Sequence, residues 1–432
     1  MFEQLNFRVN YGGADYSETR FTDADTEILR DLGRQVAEIA ARPIMAERKK
    51  LWIAHNKLER TRPVLLCDPE NGWNEIIPES AILCVNSIAR HWEDYLRKLV
   101  FWGNEMNDDF VVEPLFNVPY VYKDTQWYVA DSGRAPTEKK TAEQGKSYHI
   151  ETILEDFSQI KDIRKPDLHI DHAKSDEVLA LAHEVFDGIL EVRRNTVWFW
   201  SFGLTDDIVF LRGMERLMYD FYDAPESIHK VMKLIFDGTM ERLDFLESGG
   251  LLCLNNDGAF VGSGGMGFTD ELPAKDFGAA VRTKDMWGLA ESQVTVGVSP
   301  DMFREFIFPY QKKLMERFGL TCYGCCEPMD DRFDIVKAVS NLRRVSVSPW
   351  AKREIMAEKL KRDYIYSLKP SPSYLAVPHV DEDLVTEDLR SALSISRDNC
   401  VEIVMKDNHT LGGNPGNIRT WVAIARRLIE AL

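Results

Sequence analysis

The stretch Leu320-Thr-Cys-Tyr-Gly-Cys-Cys326 and its three successors, Leu342-Arg-Arg-Val-Ser-Val347, Tyr364-Ile-Tyr-Ser-Leu368 and Val401-Glu-Ile-Val-Met405, decide the fold. Each is a short β-rich run followed by an amphipathic or capped segment of helical period. Strands that alternate with helices in this way build a parallel sheet. The last unit ends in the clearest helix of the chain. Asn414 stands as its N-cap, Pro415 at its first position, and Ile418, Trp421, Val422, Ala425, Leu428, Ile429 and Leu432 form one apolar stripe. Working upstream, four more runs read as strands: Val64 to Cys67, Phe110 to Val118, Val197 to Phe202 and Leu251 to Asn255. Eight strand-helix units fit a closed barrel better than an open doubly wound sheet. The expected class is therefore α/β, a (β/α)8 TIM barrel over residues 61–432, with its active site at the C-terminal strand ends. Residues 1–60 form an N-terminal helical extension, two helices split near Pro43 and opened by Thr22. Insertions are expected at about 119–195 and at 258–298. The latter holds five glycines within residues 258–267 and is expected as a loop over the barrel mouth.

Composition sets the outer bounds. The 432 residues are 44% hydrophobic and 28% charged, the balance of a packed globular chain, and the formal net charge is −17. So negative a chain has no general grip on nucleic acid or anionic membrane, both of which need basic patches. No run of eighteen apolar residues occurs and the first residues show no leader pattern, so a cytoplasmic location is expected. Seven cysteines, an odd number without a disulfide framework, read as thiols, buried hydrophobes or metal ligands.

Gly262-Ser-Gly-Gly-Met-Gly267 matches the dinucleotide fingerprint G-x-G-x-x-G, but it runs into Phe268-Thr-Asp-Glu-Leu-Pro273 instead of a helix, so it reads as loop. The segment Thr321-Cys-Tyr-Gly-Cys-Cys-Glu-Pro328 is more informative, because it closes a strand with polar and metal-binding side chains. Alternation along that strand puts Tyr323, Cys325 and Glu327 on one face. The neighbouring strands end in Trp350, in Lys369, and in Lys406, Asp407 and His409. Cys325, Glu327 and His409 could then hold a zinc ion with an open position, while buried cysteines beside a capping glutamate are the bland alternative. Asn256, Trp287 and Gln293 complete the expected substrate-binding set with Trp350 and Lys369. Trp198 and Trp200 read as core, and Asp108-Asp109 as a capping or solvated pair.

Beyond these single features, the chain resembles the uroporphyrinogen decarboxylase-like superfamily, in particular its corrinoid-dependent methyltransferase branch. The resemblance rests on Arg62-Pro-Val-Leu, Gly203-Leu-Thr, Leu211-Arg-Gly-Met-Glu215, Asp223-Ala-Pro-Glu226, Val298-Ser-Pro-Asp-Met-Phe303, Tyr323-Gly-Cys-Cys-Glu327, Val347-Ser-Pro-Trp350 and Lys406-Asp-Asn-His409. It implies a methyltransferase that passes a methyl group from a small donor to the Co(I) corrinoid of a separate carrier protein. An aryl methyl ether suits the aromatic side chains, as in the substrate-specific component of anaerobic O-demethylase systems. The branch binds zinc through a His-x-Cys pair and a later Cys; here Tyr323 stands in place of the His and His409 near the later Cys. The implied roles are either a permuted zinc site of Cys325, Glu327 and His409, or a metal-free site in which Tyr323, Glu327 and His409 act as acids and orienting groups. The expected partners are the carrier protein and the small methylated aromatic substrate, with a homodimer among the compatible assemblies. A uroporphyrinogen-type decarboxylase ranks second, because the stretch Arg62 to Trp73 lacks the cations that a polycarboxylate would meet. A non-catalytic barrel serving as a binding subunit ranks third.

Overall fold

A computed structural model describes residues 16–130, 133–140 and 148–432. The first fifteen residues of the expected extension, and residues 131–132 and 141–147 of the expected first insertion, lie outside the described residues. The extension begins with helix α1 (Asp23–Ala40), capped reciprocally by Thr22 and Asp25, followed after a break at Pro43 by α2 (Pro43–Asn56). Strand β1 (Val64–Cys67) comes next, then helix α3 (Ser87–Glu105), β2 (Leu115–Val118) and β3 (Glu191–Arg194), the last two forming a separate parallel pair. Helices α4 (Thr205–Arg212) and α5 (Pro225–Ser248) precede a short hairpin of β4 (Phe260–Val261) and β5 (Gly265–Met266). The chain then lays down β6 (Trp287–Ala290), β7 (Leu320–Tyr323), β8 (Leu342–Val347), β9 (Ile365–Leu368) and β10 (Cys400–Met405), and ends in α6 (Gly416–Glu430).

Six of these strands form one parallel sheet in the order β1-β10-β9-β8-β7-β6. Four of them match the runs read from the last third of the sequence to within a few residues. The two runs at 197–202 and 251–255 are not strands, and Phe110 to Val118 contributes only its last four residues. The reason is visible at the β6 edge. Asn255 pairs with Trp287 through its side-chain amide, accepting from the Trp287 N–H at 2.9 Å and donating to its carbonyl at 3.1 Å. That amide replaces a backbone ladder. Phe202 likewise reaches the edge with a single bond, its N–H to the Leu289 carbonyl at 2.7 Å. At the other edge the Asp109 N–H donates to the Leu65 carbonyl at 2.8 Å. The acid pair there is structural: Asp108 takes the Cys67 N–H and the Trp102 indole, while Asp109 is gripped by Arg62 and Arg426.

The two faces of the sheet are chemically unlike. Val345, Val347, Tyr366, Leu368, Ile403 and Met405 are all fully buried apolar or aromatic side chains. The alternate positions Cys322, Arg344, Ser346, Ser367, Lys369, Glu402 and Lys406 are buried and polar. Burying charge is costly unless it is paired. Here it is paired: Arg344 Nε lies 2.9 Å from Glu402 Oε1, His55 Nε2 lies 3.2 Å from Glu402 Oε2, and Ser367 Oγ donates to the same carboxylate. Arg344 also donates to the Asn56 carbonyl oxygen Oδ1 at 2.7 Å.

The glycine-rich segment forms the β4-β5 hairpin, which lies against this polar face at positions where a side chain would collide. A Cβ at Gly265 would sit 2.6 Å from the Arg344 guanidinium carbon, and one at Gly262, whose φ is +65°, 2.8 Å from Cys322 Sγ. Asn56 holds the returning chain by donating to the Met266 and Phe268 carbonyls at 2.9 and 2.8 Å.

Two outcomes follow for stability. Glu402→Gln leaves Arg344 buried without its counter-charge and is expected to cost about 3–5 kcal/mol in urea unfolding; a loss below about 1 kcal/mol contradicts the pairing. Burial pulls the His55 imidazole down, but Cys400 and Glu402 more than offset this and raise it to about 9. A histidine raised on folding stabilises fully below its unfolded value of about 6.5, and that stabilisation is lost as pH rises. The difference in stability between the parent and His55→Gln should therefore shrink between about pH 6.5 and pH 9. A constant difference across that window contradicts it.

Candidate functional site

Two loops at strand ends bring the polar residues together. After β7 the chain turns at Gly324, φ +91°, and places Cys325 in the interior. After β10, Lys406 continues the inward-facing series and Asp407, at φ +60°, turns the chain away. The tip of the glycine hairpin joins them. Ser263 Oγ donates to Cys325 Sγ at 3.3 Å, and Lys406 Nζ donates to Ser263 Oγ at 3.1 Å and to Cys325 Sγ at 3.3 Å. The Cys326 thiol, 3.6 Å from Cys325 Sγ, donates to Asp407 at 3.1 Å. The contact with Cys326, reinforced by the Lys406 ammonium against the opposing effect of burial, holds the Cys325 thiol down at about 7. Lys406 stays firmly protonated, since Cys325, Asp407 and Glu70 outweigh its burial.

Lys406 also forms part of the wall of a cavity of about 310 Å³. Asp68 and Glu70, just beyond β1, stand on that wall, together with Phe260, Gly262 and Gly264 of the hairpin. The indoles of Trp127, Trp198, Trp200 and Trp287 supply much of the rest, with Phe199, Phe202 and Tyr122. Burial pushes Glu70 up to about 8, the nearby Asp68 and Asp407 adding to it and Lys406 opposing, so its carboxyl is largely protonated at neutral pH. Burial likewise raises Asp68 to about 6, with the Glu70 N–H and Lys406 opposing. An acid poised near 8 beside a fixed cation can donate a proton to a leaving oxygen.

The expected residues divide. Trp287 lies buried in β6 and lines the cavity, its indole donating to the Gly267 carbonyl at 3.0 Å. Tyr323 and Glu327 are buried and off the cavity wall. Tyr323 donates to Gln311 Oε1 at 2.7 Å, and Glu327 accepts the Ser292 and Cys325 N–H groups at 2.7 and 2.9 Å. Burial, with Glu327 adding, pushes the Tyr323 phenol well above its ordinary range, which makes it a poor acid. Lys369 is buried, lowered to about 8 by that burial, and spends its ammonium on Ser367 Oγ at 2.8 Å. Gln293 closes a turn, its N–H bound to Glu291, and Asn256 donates to the Leu272 carbonyl at 2.7 Å. Trp350 is 75% exposed. Of the five residues expected to bind substrate, only Trp287 stands on the wall of this cavity.

His409 requires a correction. It is exposed, with Nδ1 3.2 Å from the Asn71 amide, because the turn at Asp407 carries the chain outward. Both Glu327 oxygens are taken by backbone N–H groups and Cys325 Sγ by two donors. Among the described residues no group of three or more His, Cys, Asp or Glu is arranged to hold a metal ion. Cys325, Glu327 and His409 therefore do not fit a three-ligand zinc site.

Sequence reasoning missed Asp68 and Glu70, whose only signal was their place after the first strand, where Glu70 adopts φ +46°. Trp198 and Trp200, read as core, line the cavity. Glu291, pushed well above the carboxylate range by burial, Asp206 and Glu327, was not singled out either.

The thiol geometry makes one direct prediction. Lys406→Met should move the pH of half-maximal Cys325 alkylation by iodoacetamide upward from about 7 towards the ordinary thiol value of about 8.5. Peptide mass mapping across pH reads it, and an unmoved midpoint contradicts the Lys406 contribution.

No family model matches this chain, and no curated protein matches it. Among the described residues no helix is long and apolar enough to cross a membrane. Among solved structures the chain is similar to a methyltransferase from Methanosarcina mazei, with a TM-score of 0.47 and 11% identity, over 88% of this chain and 98% of that one.

Proposed function

We propose that this chain is a cytoplasmic methyltransferase that takes the methyl group of a small aryl methyl ether and delivers it to the corrinoid of a separate carrier protein. One observation carries the reading: a carboxyl group held near pKa 8, Glu70, shares the wall of a tryptophan-lined cavity with the Lys406 ammonium. The indoles suit the ring of the donor, and the sequence motifs point to the same branch. The barrel expected from the sequence is part of this proposal, supported by the backbone bonds at the two edges of the sheet, Asp109 to Leu65 and Phe202 to Leu289.

The chemistry demands an acid. When the methyl carbon leaves the ether oxygen, the bonding electrons stay on that oxygen as an aryl oxide, whose conjugate acid has a pKa of about 10 by analogy with tyrosine. Glu70 gives its proton to this oxygen, and Lys406 steadies the carboxylate left behind. The carrier's reduced cobalt supplies the methyl acceptor. Tyr323 and Glu327 are too deeply engaged to serve as acids in this scheme. They shape the loop that bears Cys325. A polycarboxylate substrate is disfavoured, since Asp68, Glu70, Asp124 and Asp207 all stand on the cavity wall.

Release of the phenol from a panel of methoxybenzenes should require a reduced corrinoid carrier. Glu70→Gln should lower kcat by about 10²–10⁴ with KM little changed, the pattern of a group that acts in the transition state. His409→Ala should change neither constant appreciably. Carrier-independent phenol release, or full activity in Glu70→Gln, contradicts the proposal.

A further inference from the structure

The cavity wall is unbalanced in charge. Asp68, Asp124 and Asp207, besides the largely protonated Glu70, face it against Lys406 and Arg242. Both cations are already matched, Arg242 by Asp124 at 2.7 Å and Lys406 by Asp407 at 3.1 Å as well as by Cys325. Among the described residues, no ion pair reaches Asp68 or Asp207. Asp207 accepts the Trp127 indole N–H at 3.0 Å, a neutral donor in place of an ion-pair partner. Burial holds Asp207 up at about 6, with the Trp127 indole and Arg242 opposing it.

The aromatic lining has the matching property. Trp198 and Tyr122 pack with ring centroids 4.9 Å apart, and Trp127 and Trp200 stand on the same wall. Indole and phenol faces are electron-rich and attract cations, most strongly where water is excluded. Carboxylates that no ion pair occupies, beside such rings, suit an onium or protonated amine and repel an anion.

We propose that the methyl donor of this enzyme is a cation, an aryl methyl ether that also bears a protonated or quaternary nitrogen. The inference rests on the demethylation reading above for the ether, and on the cavity alone for the charge. Asp207 and Asp68 supply the counter-charges, the tryptophans supply the faces, and the substrate brings the positive charge that the wall lacks.

Binding can be measured apart from turnover. Intrinsic tryptophan fluorescence of the full chain, without carrier, would be titrated with 3-methoxybenzylamine, 3-methoxybenzyl alcohol and 3-methoxybenzoate. The amine should bind at least about tenfold more tightly than the alcohol, and the benzoate most weakly. Added salt should weaken the amine and not the alcohol. Asp207→Asn, checked for native circular dichroism, should bring the amine to within about threefold of the alcohol; if that variant fails to fold, the salt series on the parent decides. Equal binding of the three probes, preference for the benzoate, or no binding at all overturns the inference. Preferential amine binding without carrier-dependent demethylation would sustain the charge preference and remove the methyl-transfer reading. Demethylation with a benzoate preference would do the reverse.

Discussion

The interior depends on one buried guanidinium. Arg344 projects from the polar face of the sheet, is 1% exposed, and pairs with Glu402, with the Asn56 amide and with Cys322, while its cation lies 5.3 Å from the Trp287 ring centre. A charge so placed tolerates no vacancy among its partners, because an unpaired buried ion costs more than the pair stabilises. That demand ties four elements to one spot: β10 through Glu402, α2 through Asn56, β7 through Cys322 and β6 through Trp287. It also explains the glycines. The hairpin must cross the flat guanidinium where a Cβ would collide, so Gly265 covers it and Gly262 and Gly264 shape the approach.

The chemistry at the other end of the same face follows from that seating. With its base fixed by Asn56 and Arg344, the hairpin delivers Ser263 to the strand ends, where its hydroxyl bridges Lys406 and Cys325. Lys406 is thereby held on the cavity wall with Asp68 and Glu70 instead of swinging to solvent. Burial pushes both acidic groups up, and their neighbours decide the outcome. The Cys325 thiol is pulled down by its neighbours, while the Glu70 carboxyl, with fewer compensating contacts, is pushed up. A nearly neutral carboxylic acid beside a permanent cation in an aromatic cavity is an arrangement for proton delivery, and it belongs to the outlying loop after β1 as much as to the strand ends that the sequence advertises.

Legibility in the sequence tracked regularity of the backbone. The four runs of the last third were readable because each strand is a compact β-rich run followed by a helical segment, and Leu342–Val347 was recovered with its observed bounds. The Trp-rich run at 197–202 and the run at 251–255 mimic strands in composition, yet their contacts are side-chain amides, indoles and single backbone bonds. The true edge strand, Trp287–Ala290, was hidden inside a glycine-rich region that reads as loop. At the site, Cys325 was legible from its place just past a strand end, but the turn at Gly324 breaks the alternation, so Cys325 joins Lys406 and Ser263 while Tyr323 bonds Gln311. His409 was not, because a left-handed residue at Asp407 reverses the direction of the next side chains, and a non-glycine in that conformation carries no reliable sequence signal. Glu70 was illegible for the same reason, its φ of +46° turning it to the wall beside Lys406.

The most direct measurement is the pH dependence of kcat/KM for carrier-dependent demethylation. The account predicts a limb that falls above about pH 8, where Glu70 loses the proton it must donate, and predicts that this limb disappears in Glu70→Gln. A rate that stays flat through pH 8, or a falling limb that persists unchanged in the variant, would contradict the assignment of Glu70 as the acid.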